Sequence, residues 1–591
     1  MLKRIKTTNV ILVLILSAGC FLRVLGCDFG TPFMFHPDEG FEIHRALQLG
    51  SGSFDFERTG KGVYFYFLFI EYSIYFIFAY LTGTVSGAKD FAVEFISDPS
   101  VFLLLGRLTT ALIATATIYL VYRIGSINNQ PITGLIAAAI LASNPMHVEH
   151  SHYVTVDILL TFFCVLFFVE ASKLNKDSGI VSYSILGTII GFAAATKMPG
   201  LILVLPFIFI HQYLNRSNLV AVITNLFDKR LLISGLVFLL VFSILNPGAV
   251  LNFDIYLAKI ADILLGSEFT DISQTNQNKL NPIATISNEV DNGADTGSGN
   301  NFFLYYLNVL QTTVSLPVLI ISVLGVLTSL IKRKPIFIFI SSFAIIFYLV
   351  LGSTAVEYLV YPRYVLPMLP FISLVAGLFI YTGIGWFLSK TNLSRFNNGS
   401  ILVISLFTIF VIFIPTRESV ATAIEFTQTD TRQLANEWFS KQEKEGATVY
   451  IEGSTARTNN HTVPLRMEKS QLTEVINSFK SNNERGKAFY FTLERDYVES
   501  ERFHLVFYKY LTIPTEVLSN NAQPGYLVIR PKALRTRAEP EIVNAFVDQL
   551  NNADHISLAV SFLPEKGHLK GPDILIYEIK TPKSISATPK P

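Results

Sequence analysis

Over its first 415 residues the chain alternates long apolar runs with short polar connections, a pattern that leaves it few folds. A helix that crosses a bilayer takes about 20 apolar residues. Runs of that kind fall at residues 10–24, 101–122, 132–145, 155–172, 182–196, 198–213, 231–247, 302–331, 336–352, 363–388 and 400–415. Only 15% of the 591 residues are charged, against about 25% in soluble domains. Mean hydropathy is +0.45. The expected fold class is therefore an α-helical polytopic membrane protein with about eleven spans plus interfacial helices. A net charge of +1 gives no footprint for a nucleic acid. The cysteines, Cys20, Cys27 and Cys164, form no CxxC and suggest neither a disulfide framework nor a thiolate metal site. Lys3, Arg4 and Lys6 before the first run also fit a signal peptide. The many later spans make an uncleaved first helix the expectation.

Topology turns on residues 64–81, an aromatic run. If it lies at the interface instead of crossing, one side collects Lys3, Arg4 and Lys6; Arg123; Lys173 and Lys176; Arg216, Lys229 and Arg230; Lys332, Arg333 and Lys334; and Lys390 and Arg395. Positive charge gathers on the cytoplasmic side. The other side, expected to be outer, then receives 27–100, 146–155, the acidic loop 248–301, 353–362 and everything after Pro415.

After Pro415 the composition changes. Charges become frequent and short β-rich runs appear at 448–451, 488–491, 526–529 and 574–577, separated by amphipathic stretches at 472–480 and 541–550. This predicts an extracytoplasmic soluble α/β domain over 416–580. The Pro-, Ser- and Lys-rich tail 581–591 is expected to be disordered. The Asn- and Gly-rich stretch 271–301 is expected to be a lid or disordered.

Three groups of residues carry chemical promise. Phe35-His36-Pro37-Asp38-Glu39-Gly40 follows the first run. Pro37 and two acids suit a helix start, so simple capping is one reading. One acid would suffice for that, and paired carboxylates at a membrane face are costly to keep there. Asp38 and Glu39 are therefore candidate catalytic residues. The second group is Asn144 to Asp157, with His147, His150 and His152: on a helix His147 and His150 share one face and Glu149 and His152 another, as metal or substrate ligands can, the alternative being solvated imidazoles in a polar loop. Asp157 opens an apolar run and should face protein. The third group is Arg107, Lys197 and Arg363, lone cations at run edges on the same expected face. Each alone fits a snorkelling side chain. Together they could bind a phosphate.

These motifs, in this order, resemble the polyprenyl-phosphate-dependent glycosyltransferases of the GT-C fold: the Asp38-Glu39 loop, Arg107-Leu-Thr-Thr-Ala, Asn144-Pro145 through His152 to Asp157, Gly191-Phe-Ala-Ala-Ala-Thr-Lys197 and Pro362-Arg363-Tyr364. More narrowly, the chain resembles the family 39 type, the protein mannosyltransferase and aminoarabinose transferase relatives, over about residues 1–440. The resemblance implies a membrane glycosyltransferase domain over 1–415 whose outer loop 27–100 carries the catalytic acid at Asp38. It implies further acids at Glu39 and Asp157, and donor-phosphate contacts at Arg107, Lys197 and Arg363. Lys61 stands where the family places a Lys-Pro-Pro group, but without the prolines. The implied reaction is inverting sugar transfer from a polyprenyl-phosphate donor to a protein, lipid or glycan acceptor at the outer face of a plasma (inner) membrane. No cofactor is assigned. A divalent metal ion is the alternative to the three cations for neutralising the phosphate. A transporter or lipid flippase is the competing reading, and the chain shows no internal repeat of the sort such proteins carry.

Overall fold

The computed structural model describes residues 2–52, 61–215, 219–251, 253, 302–354, 361–390, 399–442, 446–453, 462–482, 485–508, 512–518, 522–535, 538–565 and 567–580. The expected lid 271–301, Arg216, Arg395 and the tail 581–591 lie outside the described residues.

The apolar runs form helices, because backbone groups in lipid must satisfy one another. In order these are α1 (Leu2–Val24), α2 (Pro37–Gln48), α3 (Gly62–Leu81), α4 (Ala88–Ser97), α5 (Ser100–Ile127), α6 (Pro131–Ala142), α7 (Pro145–Glu149), α8 (Val156–Ala171) and α9 (Ile180–Thr196), followed by further apolar helices to Glu425. Among the described residues six helices are long and apolar enough to cross a membrane, or up to eight if each of two bent pairs is one span. The protein is a multi-pass membrane protein. The expected single span 302–331 is corrected to two helices, Phe302–Val314 and Leu316–Ile331, that meet at 107°. Ser315 takes a left-handed backbone (φ 68°) and Pro317 follows at the new helix start. Proline lacks the N–H that would continue the ladder. The last membrane helix passes Pro415 and runs on to Glu425.

Named contacts sort the helix ends into two groups. At one end Asn128 donates to Ser172 Oγ, Arg230 donates to the carbonyls of Lys176 and Ser178, and Asn128 and Asn129 line a cleft with Arg333 and Lys334. At the other end lie the start of α2, the starts of α5 and α8, and the end of α9, joined by the ion pairs described below. Helix α3 is long and apolar enough to cross. Tyr64 shares a hydrogen bond with Thr110, Thr109 donates to Glu71, and Tyr72 donates to the Phe102 carbonyl, so α3 meets α5 at the second of these ends. Close packing brings α5 and α6 together where a Cβ on Gly125 would lie 2.6 Å from the Cα of Gly134, the small-residue contact typical of membrane helices.

Beyond Glu425 stands a five-stranded sheet in the order β3-β2-β4-β7-β5. Its strands are β2 (Thr448–Glu452), β3 (His504–Tyr508), β4 (Gly525–Ile529), β5 (Ile556–Phe562) and β7 (Ile574–Ile579). A two-stranded parallel ladder of β1 (Thr429–Asp430) and β6 (Leu569–Lys570) stands beside it. The expected strand 488–491 is corrected to part of the helix Arg485–Tyr497. Its Ala488 and Phe491, three residues apart, are buried together, and Phe491 stacks on Phe479. Strands β3 and β5 were not expected from the sequence.

Candidate active site

Helix α2 starts where the sequence places a cap. His36 is extended, its Nδ1 accepts the Asp38 N–H at 3.3 Å, and Pro37 occupies the first turn. Asp38 and Glu39 are neighbours, and the 100° step of a helix sends them in different directions.

Glu39 turns inward. Arg107 Nε and Nη2 each reach one of its oxygens at 2.8 Å. Arg107 Nη1 donates to the carbonyls of Cys27 (3.0 Å) and Phe29 (2.7 Å), and the Val154 N–H donates to Glu39 at 3.2 Å. Both side chains have 0% exposure. Arg107, expected to contact a donor phosphate, and Glu39, expected among the catalytic acids, are thus sealed against each other. The pair fixes the first turn of α2 to the start of α5.

Asp38 turns the other way. Its Oδ2 lies 3.2 Å from Arg363 Nη2. Arg363 Nε lies 3.6 Å from Asp157 Oδ2, and Lys197 Nζ lies 2.6 Å from Asp157 Oδ1. Four residues from four distant parts of the chain thus form an alternating row of charges, Asp38–Arg363–Asp157–Lys197. Asp157 is 4% exposed, whereas Lys197 is 21% and Asp38 27% exposed, so both ends of the row are partly open and its interior is closed at Asp157. Aromatic rings flank both cations: Arg363 lies 4.5 Å from the Tyr361 ring and Lys197 4.4 Å from that of Tyr364. Burial works against the charge of Asp38. The Arg363 guanidinium, with Lys61 and His36, outweighs that and holds the carboxyl below the usual carboxylate range.

Two further residues join this site. Glu42, one turn beyond Asp38 on α2, is buried, and Lys61 Nζ approaches its Oε1 at 2.5 Å. Burial raises the Glu42 carboxyl above its ordinary pKa, against the pull of Lys61. For Lys61 burial acts in the opposite sense, and Glu42 and Asp38 together overcome it to raise its pKa. Sequence reasoning missed Glu42. The spacing of four between two acids on a predicted helix was the available signal. Lys61 is aimed by the residue after it. The Gly62 N–H donates to Asn246 Oδ1 at 3.0 Å, and a Cβ there would lie 1.8 Å from the Leu245 carbonyl oxygen.

The three histidines do not converge, and neither expected pair, His147 with His150 or Glu149 with His152, belongs to a metal-binding group among the described residues. His147 Nδ1 meets Arg23 at 2.9 Å. His152 has both ring nitrogens on carbonyls, those of Val148 and Leu25, and stacks on Phe426 at 4.1 Å. His150 packs edge-on against Tyr153. A five-residue helix followed by a 3-10 turn (His150–His152) interrupts the continuous helix that the paired spacings assumed. Among the described residues no group of three His, Cys, Asp or Glu side chains could hold a metal ion.

A buried fork anchors α2, then, and a partly open row of acids and cations lies at one end of a helix bundle. The class this defines is a multi-pass membrane protein with a cluster of paired acids and cations at the end of its apolar helices. Residues 103–246 match the family model described as dolichyl-phosphate-mannose-protein mannosyltransferase. The match agrees with the resemblance read from the sequence, and the matched stretch contains Arg107, Asp157 and Lys197. No curated protein matches the chain by sequence. Among solved structures the chain is similar to ArnT from Cupriavidus metallidurans bound to undecaprenyl phosphate, with 12% identity over 98% of this chain and 98% of that one and a TM-score of 0.47. It is also similar to the oligosaccharyltransferase AglB from Archaeoglobus fulgidus in complex with an inhibitory peptide and a dolichol-phosphate, with 12% identity over 91% of this chain and 72% of that one and a TM-score of 0.46.

Proposed function

We propose that the protein transfers a sugar from a polyprenyl-phosphate donor to an acceptor, with inversion at the anomeric carbon, at the outer face of the membrane. The observation that carries this reading is the row Asp38–Arg363–Asp157–Lys197, which sets a reachable carboxylate beside cations where apolar helices end. The family matched by residues 103–246 takes its name from a lipid-phosphate sugar donor. The helices would hold the polyprenyl tail, and the cations at their end would hold its phosphate.

In this reading an acceptor hydroxyl or amine attacks the anomeric carbon, and its proton passes to the Asp38 carboxylate. General-base help of this kind is worth about 10² to 10⁴ in rate. The bond from that carbon to the phosphate oxygen breaks, and the electron pair leaves with the polyprenyl phosphate. Arg363, Lys197 and Lys61 stabilise the growing phosphate charge, since charges fixed in a poorly solvated site act strongly. Asp157 orients Arg363 and Lys197. Glu39 and Arg107 hold α2 in place and do not touch substrate. Asp38 and Asp157 each face a cation, a set suited to guanidinium and ammonium groups, and no step is assigned to a metal. The C-terminal domain and the acceptor side lie at the outer face, opposite Arg230 and the Lys332–Lys334 cluster.

The test is incubation of the purified protein with synthetic polyprenyl-phosphate sugars. Release of polyprenyl phosphate with an inverted glycoside as product supports the reading. Failure to turn over any such donor, or a product with retained configuration, overturns it.

A further inference from the structure

The segment between α1 and α2, residues 28–36, leads directly to Asp38 and has little regular structure of its own. On its membrane side the segment is gripped by Arg107, which donates to the Phe29 carbonyl and lies 3.7 Å from the centre of the Phe29 ring. The C-terminal domain grips the other side at three points. Lys570 Nζ lies 4.7 Å from the Phe29 ring and 3.7 Å from that of Phe426. Arg432 lies 3.9 Å from the Phe35 ring and donates to the Phe35 carbonyl at 3.4 Å. Gln433 Nε2 donates to the Thr31 carbonyl at 3.1 Å.

Arg432 and Gln433 are themselves held by neighbours, and strand pairing sets the position of Lys570. Asp430 fixes the Arg432 fork at 2.8 and 2.7 Å, and Asp430 and Gln433 form the capping box of the helix Thr431–Ser440. The ladder of β1 with β6 sets Lys570 directly across from Asp430. Phe29 therefore lies between a cation of the membrane helices and a cation of the C-terminal domain. The first of these cations, Arg107, also holds Glu39, the neighbour of Asp38.

We propose that Lys570 and Arg432 are positioning residues, and that the C-terminal domain clamps the segment 28–36 so that Asp38 is held against Arg363. The domain is then part of the active site and not only a separate acceptor module. A cation held over aromatic rings suits this task, because it fixes the rings from their faces without closing the carboxylate end of the site. The ammonium is half-buried, and burial lowers its pKa to about 8, with Asp430 acting against the shift. The clamp rests on the glycosyltransferase reading only for its effect on rate, and its effect on the segment is independent of the reaction.

The experiment uses the full-length protein in lipid nanodiscs and the variants Lys570→Met, Lys570→Arg and Arg432→Met. Amide hydrogen exchange is followed in residues 28–36 and in α5, and kcat and KM are measured with a polyprenyl-phosphate sugar. The expected result is faster exchange in 28–36 but not in α5 for both methionine variants. It includes a kcat lowered roughly 10- to 100-fold at nearly unchanged donor KM, since small misplacements of a reacting group cost that much. Arginine at 570 should restore both. Unchanged exchange in both methionine variants overturns the clamp whatever the activity. Faster exchange with wild-type kcat overturns the positioning role. Asp38→Asn is measured alongside, and full activity there overturns the assignment of Asp38 as base while leaving the exchange result to judge the clamp.

Discussion

Arg363 Nη2 lies 3.2 Å from Asp38 Oδ2, although one residue follows the first membrane helix and the other opens the last helix but one. The contact joins the first connecting segment of the chain to a residue more than 300 positions later in the sequence, and it ties Asp38 to the pair of Asp157 and Lys197.

The acid limb of the activity profile follows from this contact. Asp38 has its folded pKa held below the usual value of about 3.9. It remains a base down to that lower value, and both activity and its share of stability are lost as pH falls through it. Arg363→Gln removes the cation responsible, and the acid limb of kcat should then move up by about 1–3 pH units. Initial rates across the acid range check this.

Arg107 and Glu39 should matter to folding. Arg107→Met leaves a carboxylate buried without its partner and should cost about 3–5 kcal/mol of stability. The double variant Arg107→Met/Glu39→Met should recover much of it. Thermal unfolding in detergent gives the comparison.

Lys61 and Glu42 separate affinity from stability. Lys61→Met should weaken donor binding by about 1.5–3 kcal/mol, the worth of a hydrogen bond to a charged group. It should also destabilise the protein by leaving Glu42 unpaired. Adding Glu42→Gln should restore stability without restoring donor binding, as read by unfolding and by donor titration.

Gly62 is a steric prediction. Its Cβ position overlaps the Leu245 carbonyl, so Gly62→Ala must shift the start of α3 and carry Lys61 with it. Donor KM should rise and the melting temperature fall, whereas Gly87→Ala, with open space around its Cβ position, should change neither.

Much of this was legible in the sequence. The apolar runs became helices, and a proline before two acids marked the start of α2. Asp38, Asp157, Lys197 and Arg363 do converge. What the sequence did not disclose was direction. Adjacent Asp38 and Glu39 point to different partners, and Arg107 faces inward where a phosphate contact was expected, because a position in a run does not fix which way around the helix a side chain points. The three-residue spacings His147–His150 and Glu149–His152 assumed one continuous helix, but the helix ends at Glu149 and a 3-10 turn follows. The aromatic run at 488–491 suits a strand by composition, but its burial falls at a spacing of three, and tertiary packing decided for a helix. The grip of residues 432, 433 and 570 on residues 29–35 has no local signature, because it joins segments that only the completed fold brings together.

The account is tested most directly by comparing wild type with Asp38→Asn in purified form, with one polyprenyl-phosphate sugar and its acceptor. Transfer should fall by about 10² to 10⁴ while the donor still binds with near wild-type affinity. Undiminished transfer by Asp38→Asn at equal folded protein would contradict it.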